Sequence, residues 1–225
     1  MASWMIHLRI ADILLDHFDV TPTEFIVGNL APDSGVPNED WSAFTPDTAV
    51  SHYKTRNDAG KKFVNTEKFI SEYFSREKRS TYSKEEFSFF LGYLSHLYTD
   101  IIWVSDILEL CKKNDEENYN ADPVGTVWKW KRDFYDLDAK YLRDNPDFRA
   151  FAIYQNAVGF KNAFMDIFAP DAFDNRREYI TNFYLAKRED LDREYVYLTE
   201  SSADEFVSRS SKRITDLLRQ TIEDC

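Results

Sequence analysis

Glycine and proline are scarce in this sequence, at 6 and 7 of 225 residues. A sheet-rich chain needs many tight turns, and these two residue types supply most of them, so their shortage argues against an all-β design. Cysteine is rarer still. Cys111 lies near the end of an expected helix and Cys225 is the last residue, which is no disulfide framework and suits a reducing compartment. Positive charge is also short, with 28 Lys and Arg against 40 Asp and Glu and a formal charge of −12. A field of that sign repels a phosphate backbone, which argues against nucleic acid as a partner. The first residues run from Met1 through His7 to Arg9 and Asp12 without the basic start and apolar stretch of a signal peptide. A cytoplasmic protein is expected.

What is present points to helices. Hydrophobic residues make up 43% of the chain and aromatics 16%, enough to fill one large core, so residues 1–225 are expected to form a single domain. Leu, Glu, Lys and Ala are spread through long runs that favour helix. Thr21-Pro22-Thr23-Glu24, Ser83-Lys84-Glu85-Glu86 and Ser202-Ala203-Asp204-Glu205 have capping-box spacing, and Thr45-Pro46 and Asp122-Pro123 have the form of proline-started helices. These signals predict helices near 4–17, 22–30, 46–57, 61–76, 84–113, 124–143, 147–168, 172–189 and 203–222, with a polar surface loop from Lys112 to Asn120. The fold class is all-α, a multi-helix domain.

The segment from Ser83 to Lys113 stands apart. Between Phe87 and Ser105 its only carboxylate is Asp100 and its only imidazole is His96, amid Phe89, Phe90, Leu91, Leu94, Leu97, Ile101, Ile102 and Trp103. A membrane span is disfavoured by the central carboxylate, which costs ~2.5–3.5 kcal/mol on insertion scales, and by acidic flanks. A central helix, about 84–113, buried by its neighbours fits better. Burial then demands partners for His96 and Asp100, which stand four residues apart on one helical face.

Such a pair is suited to hold one cation, although a buried His donating to a buried Asp satisfies the same geometry without metal. The chain holds four histidines, and His7, His52 and His96 fall on predicted helices beside apolar residues, while His17 marks a helix end at the surface. Asp33 follows Gly28-Asn29-Leu30-Ala31-Pro32, a helix exit that can aim a carboxylate into a site. Three imidazoles and two carboxylates suit one or two zinc ions with positions left for water.

The ordered segments Ile6-His7-Leu8-Arg9-Ile10-Ala11, Gly28-Asn29-Leu30-Ala31-Pro32-Asp33, Ser51-His52-Tyr53 and Phe89-Phe90-Leu91-Gly92-Tyr93-Leu94-Ser95-His96-Leu97-Tyr98-Thr99-Asp100 resemble the zinc-dependent phospholipase C family, and more distantly the S1/P1-type nucleases. The resemblance covers the first half of the chain. It implies that Asp33, His52, His96 and Asp100 ligate one zinc, with Asp100 bridging to a second that His7 also holds. Secreted members complete the second site with the amine and carbonyl of a processed N-terminus, whereas here Met1 and Ala2 precede Ser3 and Trp4. They also bind a further zinc through His and Glu residues downstream, and this chain has no histidine after His96. Asp106 and Glu109 do not replace imidazoles like for like, so a three-zinc centre is not supported.

The chemistry implied is hydrolysis of phosphoric esters. A divalent cation polarises a phosphoryl oxygen and lowers the pKa of water, so that hydroxide attacks phosphorus in line, with Asp33 as the candidate to orient that water. Lys54 and Arg56 are candidates to hold a substrate phosphate and Trp103 to wall the pocket, each with an ordinary helical alternative as a solvated or core residue. The stretch Trp128-Lys129-Trp130-Lys131-Arg132 mixes aromatics with base and suits a lipid headgroup or a polyanion, but it reads equally well as one buried and one wet helix face and carries no assignment. A small phosphoester or a phospholipid headgroup is the expected partner. The rivals are an S1/P1-like nuclease, which works against the −12 charge, and a metal-binding protein that has lost catalysis. An HD-type phosphohydrolase is set aside because no adjacent His-Asp doublet occurs.

Overall fold

The computed structural model describes residues 1–40 and 42–224, so Cys225 lies outside the described residues. The fold is all-α, as expected. Helix α1 (Trp4–Leu14) starts at Ser3, whose hydroxyl accepts the Ile6 N–H, and α2 (Pro22–Leu30) has proline in its first turn where no N–H is needed. A 3₁₀ turn, Ala31–Asp33, follows directly.

Between residues 34 and 83 the chain departs from expectation. In place of a helix over 46–57 there is one turn, α3 (Thr48–Ser51), capped by Asp47 through the Ala49 N–H. Short antiparallel pairs flank it: β1 (Val36–Pro37) with β2 (Phe44–Thr45), and β3 (Lys54–Arg56) with β4 (Lys62–Val64). Tyr53 at φ 52° breaks the helix, and Asn57 and Gly60 close the β3–β4 hairpin, with Gly60 at φ 76°. That left-handed backbone favours glycine. Helix therefore resumes only at α4 (Thr66–Phe69), which runs through a π-helical turn at Ile70–Phe74 toward α5 (Arg76–Arg79).

Helix α6 (Lys84–Trp103) begins with the Ser83–Glu86 capping box. It passes through a π-helical segment, Val104–Leu108, into α7 (Glu109–Asn114), so the expected central helix is continuous with one local change of pitch. The expected loop from Lys112 to Asn120 is instead the end of α7 and most of α8 (Glu116–Ala121), whose polar residues form a solvated helix. Next comes α9 (Pro123–Asp144), capped by Asp122. The expected helix over 147–168 is limited to α10 (Arg149–Asn156). Gly159 takes φ 75°, and the Asn162 side chain bonds the backbone of Phe164, Met165 and Phe168, which holds that stretch as a loop. Two helices close the chain, α11 (Ala172–Leu185) and α12 (Glu200–Asp224). The last starts earlier than expected because Thr199 Oγ1 accepts the Ser202 N–H.

Helix α6 is buried on every face, from Ser88 to Trp103, with α2, α1 and α12 packed around it. One apolar cluster runs from Ala2 to Leu218. Among the described residues no helix is long and apolar enough to cross a membrane. The α2–α6 crossing is closest at two glycines. A Cβ on Gly92 would lie 2.1 Å from the Phe25 carbonyl oxygen, and one on Gly28 2.1 Å from that of Phe89.

Candidate metal centre

That crossing sets the first half of the site. Asn29 on α2 donates through Nδ2 to Ser95 Oγ at 2.8 Å, and its carbonyl faces His96 Nδ1 at 2.8 Å. A carbonyl can only accept, so Nδ1 carries the proton and Nε2 turns a bare lone pair into the interior. His52 is fixed in the same way. Its Nδ1 lies 3.1 Å from the Thr48 carbonyl and 3.0 Å from Ser51 Oγ, and the Tyr93 hydroxyl holds the Ser51 carbonyl from α6. Both rings thus have their ligand tautomer set by a neighbouring oxygen, a recurrent device in metal sites.

All five residues proposed from the sequence converge. His52 Nε2 lies 3.2 Å from Asp33 Oδ1 and 3.8 Å from Asp100 Oδ2, His96 Nε2 lies 3.8 Å from Asp100 Oδ2, and His7 Nε2 lies 3.5 Å from Asp100 Oδ1. The ligand atoms form two overlapping groups, His7 with His96 and Asp100, and Asp33 with His52 and His96, each within 4.8 Å of one another. The histidines are fully buried, and Asp33 is the most open member, with its side chain 11% exposed.

The electrostatics need a cation. His7 Nδ1 and Nε2, His52 Nε2, His96 Nε2 and Asp100 Oδ2 are buried without a hydrogen-bond partner. Burial, followed by the neighbouring His7, holds His96 well below its ordinary pKa, so the ring is neutral. Burial pushes the Asp100 carboxyl up, but the amino terminus and the imidazoles outweigh it and keep the group ionised. Burial likewise raises Asp33, and His52, His96 and His7 bring it below the usual carboxylate range. Lone pairs and negative oxygens that face one another in a dry interior cost several kcal/mol unless a positive charge lies between them. Neutral imidazole nitrogen and carboxylate oxygen are the donor set of zinc.

Residues 6–103 match the model of the family described as zinc dependent phospholipase C. Over that segment, somewhat under half of its length, the chain is similar to the zinc dependent phospholipase C family. The match spans α1 to the end of α6 and contains all five converging residues, and this family of hydrolases requires the metal that the donor set suits. No curated protein and no solved structure matches the chain significantly.

The other residues expected at the site fare differently. Trp103 is fully buried and packs edge-on against Phe134 at 5.3 Å and Phe206 at 4.9 Å, so it belongs to the core and lines neither of the cavities that reach Asp33 and Asp100. Lys54 and Arg56 lie on β3 rather than a helix and border a cavity of about 710 Å³ that reaches Asp100. Lys54 Nζ stands 3.3 Å from Met1 Sδ, and Arg56 Nη1 donates to the Gly60 carbonyl at 2.6 Å, bracing the hairpin. The start of the chain reaches the centre as well: the Ala2 N–H donates to Asp100 Oδ1 at 2.9 Å, and burial lowers the pKa of the Met1 amine against the pull of Asp100. A second cavity, of about 320 Å³, lies beside Asp33 and is bordered by Trp128 and Lys131, from the aromatic and basic stretch left unassigned in the sequence, and by Tyr135 and Arg176, which the sequence reading missed. Trp128, Lys131 and Tyr135 share one α9 face at helical spacing, a signal that could have joined Tyr135 to the stretch, whereas nothing local marks Arg176.

Proposed function

We propose that this chain, folded as one helical domain, is a zinc-dependent hydrolase of phosphoric esters with His7, Asp33, His52, His96 and Asp100 as ligands of one or two zinc ions. One observation carries it: three imidazoles of fixed or unengaged nitrogen and two ionised carboxylates converge in two overlapping buried groups. Zinc bound there supplies polarisation of a phosphoryl oxygen and a lowered pKa for water. Asp100, buried and reached by the Ala2 N–H, is the fixed negative charge that faces His7 of one group and His52 of the other. Asp33, ionised and facing a cavity, is placed to orient a water and accept its hydrogen bond. Lys54, on the cavity that reaches Asp100, offers positive charge to a phosphate oxygen. A small phosphoester or phospholipid headgroup is the substrate class, and a cytoplasmic setting suits Cys111, a buried free thiol.

A metal-binding protein without catalysis is the second reading, favoured by the lack of any histidine after His96. Elemental analysis of protein purified without added metal, followed by assays on generic phosphomonoesters and phosphodiesters, separates the two. Zinc with turnover is expected. Full zinc occupancy with no turnover on any ester favours the second reading, and no bound divalent metal removes both.

A further inference from the structure

The cavity beside Asp33 is cationic in a strongly acidic chain. Asp33 is the only carboxylate among its described lining residues, which include both Lys131 and Arg176. Arg176 is 6% exposed and forms no ion pair among the described residues; it donates to the Gly35 carbonyl and lies over the Phe44 and Tyr179 rings. A guanidinium cannot discard its proton, so burying it without a carboxylate is costly unless an anion is brought to it. Lys131 is half-buried with no hydrogen bond or ion pair among the described residues, its ammonium 4.8 Å from the Trp128 ring centroid. Solvation alone explains an exposed lysine, but not two unpaired cations, one of them buried, on one cavity.

We infer that this cavity is an anion subsite. A phosphoester held at the metal centre carries a second negative group, a carboxylate or a phosphate, on its Asp33 side, where Lys131 and Arg176 receive it. The substrate class is then dianionic esters rather than those with a quaternary ammonium. Aromatic walls alone would suit an ammonium, yet Lys131 already occupies the face of Trp128, and Arg176 that of Phe44. The subsite rests on the phosphoesterase reading, because the phosphoryl end of the ligand is placed by the metal centre.

The test uses three phosphonates that differ only in remote charge: phenylphosphonate, 4-carboxyphenylphosphonate and 4-(trimethylammonio)phenylphosphonate, titrated calorimetrically into zinc-loaded protein. The carboxylate is expected to bind at least about tenfold tighter than the ammonium, since charge-assisted bonds to two cations favour it. Lys131→Met should remove most of that difference while its melting curve stays within a few degrees of wild type, and Lys131→Arg should restore it. Equal affinities for the three, a preference for the ammonium, or an undiminished preference in Lys131→Met overturns the subsite and leaves the metal-centre reading standing. Binding of none of the three removes the phosphoester reading and the subsite with it. Sedimentation with phosphatidylserine-rich vesicles assigns the source of the anion: Lys131-dependent co-sedimentation supports a lipid headgroup, and its absence beside tight phosphonate binding supports a soluble ester.

Discussion

The rings of His7 and His96 lie face to face, centroids 3.8 Å apart and 1° from parallel. Neither His7 nitrogen has a hydrogen-bond partner among the described residues, and His96 Nε2 has none either. The stack therefore leaves nitrogen lone pairs of both rings to meet positive charge supplied from outside.

Removal of metal should destabilise the chain. Ligand present at a hundredfold above its dissociation constant adds about 2.7 kcal/mol to folding, and each kcal/mol moves the Tm of a chain this size by roughly 2–4 °C. Extended treatment with a strong chelator, with depletion checked by elemental analysis, should lower the melting temperature by about 5–10 °C. An unchanged melt after complete depletion would place the metal outside the buried cluster.

Asp100→Asn should cost more than any change in the second half of the chain. It keeps the shape but removes the charge that faces His7, His52 and His96, so zinc affinity and turnover should fall together, by about a hundredfold or more. Trp130→Ala is the contrast. Trp130 is 1% exposed, stacks on Tyr119 and donates to Asp115 Oδ2, so its loss should cost about 3–5 kcal/mol of stability while the chemical step persists in the folded fraction. Wild-type turnover in Asp100→Asn would end its role as the bridge.

Which residue of the Trp128–Arg132 stretch turns inward is something a sequence can hardly specify. Trp130 sits in a stretch of alternating aromatic and basic residues, and only the register of α9 against its neighbours shows that Trp130 faces inward and Trp128, 60% exposed, faces out. The ligand set was more legible. His96 and Asp100 announce themselves because two polar side chains at i, i+4 interrupt an apolar helix, and α2 follows from Pro22 and its apolar run to the residue. The hairpin around Gly60 was hidden because its strands are only three residues long, too short for alternation to register, with Lys54, Arg56 and Lys62 on one face and only Thr55 and Phe63 on the other. Arg176 was hidden for another reason: its place beside Gly35 depends on contact between segments 141 residues apart.

Gly92→Ala should be severely destabilising. The added Cβ would meet the Phe25 carbonyl, part of a backbone that cannot rotate away, so the helices must separate; overpacking of this kind costs about 1–3 kcal/mol or more. Separation would also lengthen the bond from His96 to the Asn29 carbonyl, so zinc affinity should fall beyond what the melting curve explains. A variant with wild-type stability would show that the crossing is looser than it stands here.

Stability should also depend on Asp138. Burial pushes this carboxyl up to about 7, against hydrogen bonds from Ser3 and Tyr184 and the fields of Arg9 and Arg188. Between the unfolded value near ~3.9 and about 7, the native chain holds a proton that the unfolded chain has released. The stabilisation is complete below that window, falls as pH rises through it and is flat above. Asp138→Asn, which imitates the protonated acid, should remove the slope and be the more stable form near pH 8. Melting curves of the two proteins across about pH 5–8 check this, and parallel profiles would mean that Asp138 is ionised throughout.

The glycine crossing bears on how the protein can vary. Where two helices touch through side chains, a change of rotamer or volume shifts one against the other, and anything mounted on them drifts. Here main chain rests on main chain at Gly28 and Gly92, so the spacing between the carbonyl of Asn29 and the ring of His96 is referenced to a hard stop. The surrounding apolar residues can be exchanged, and the outer helices can slide, without disturbing the alignment of the donors. The centre behaves as an instrument clamped to its own rail.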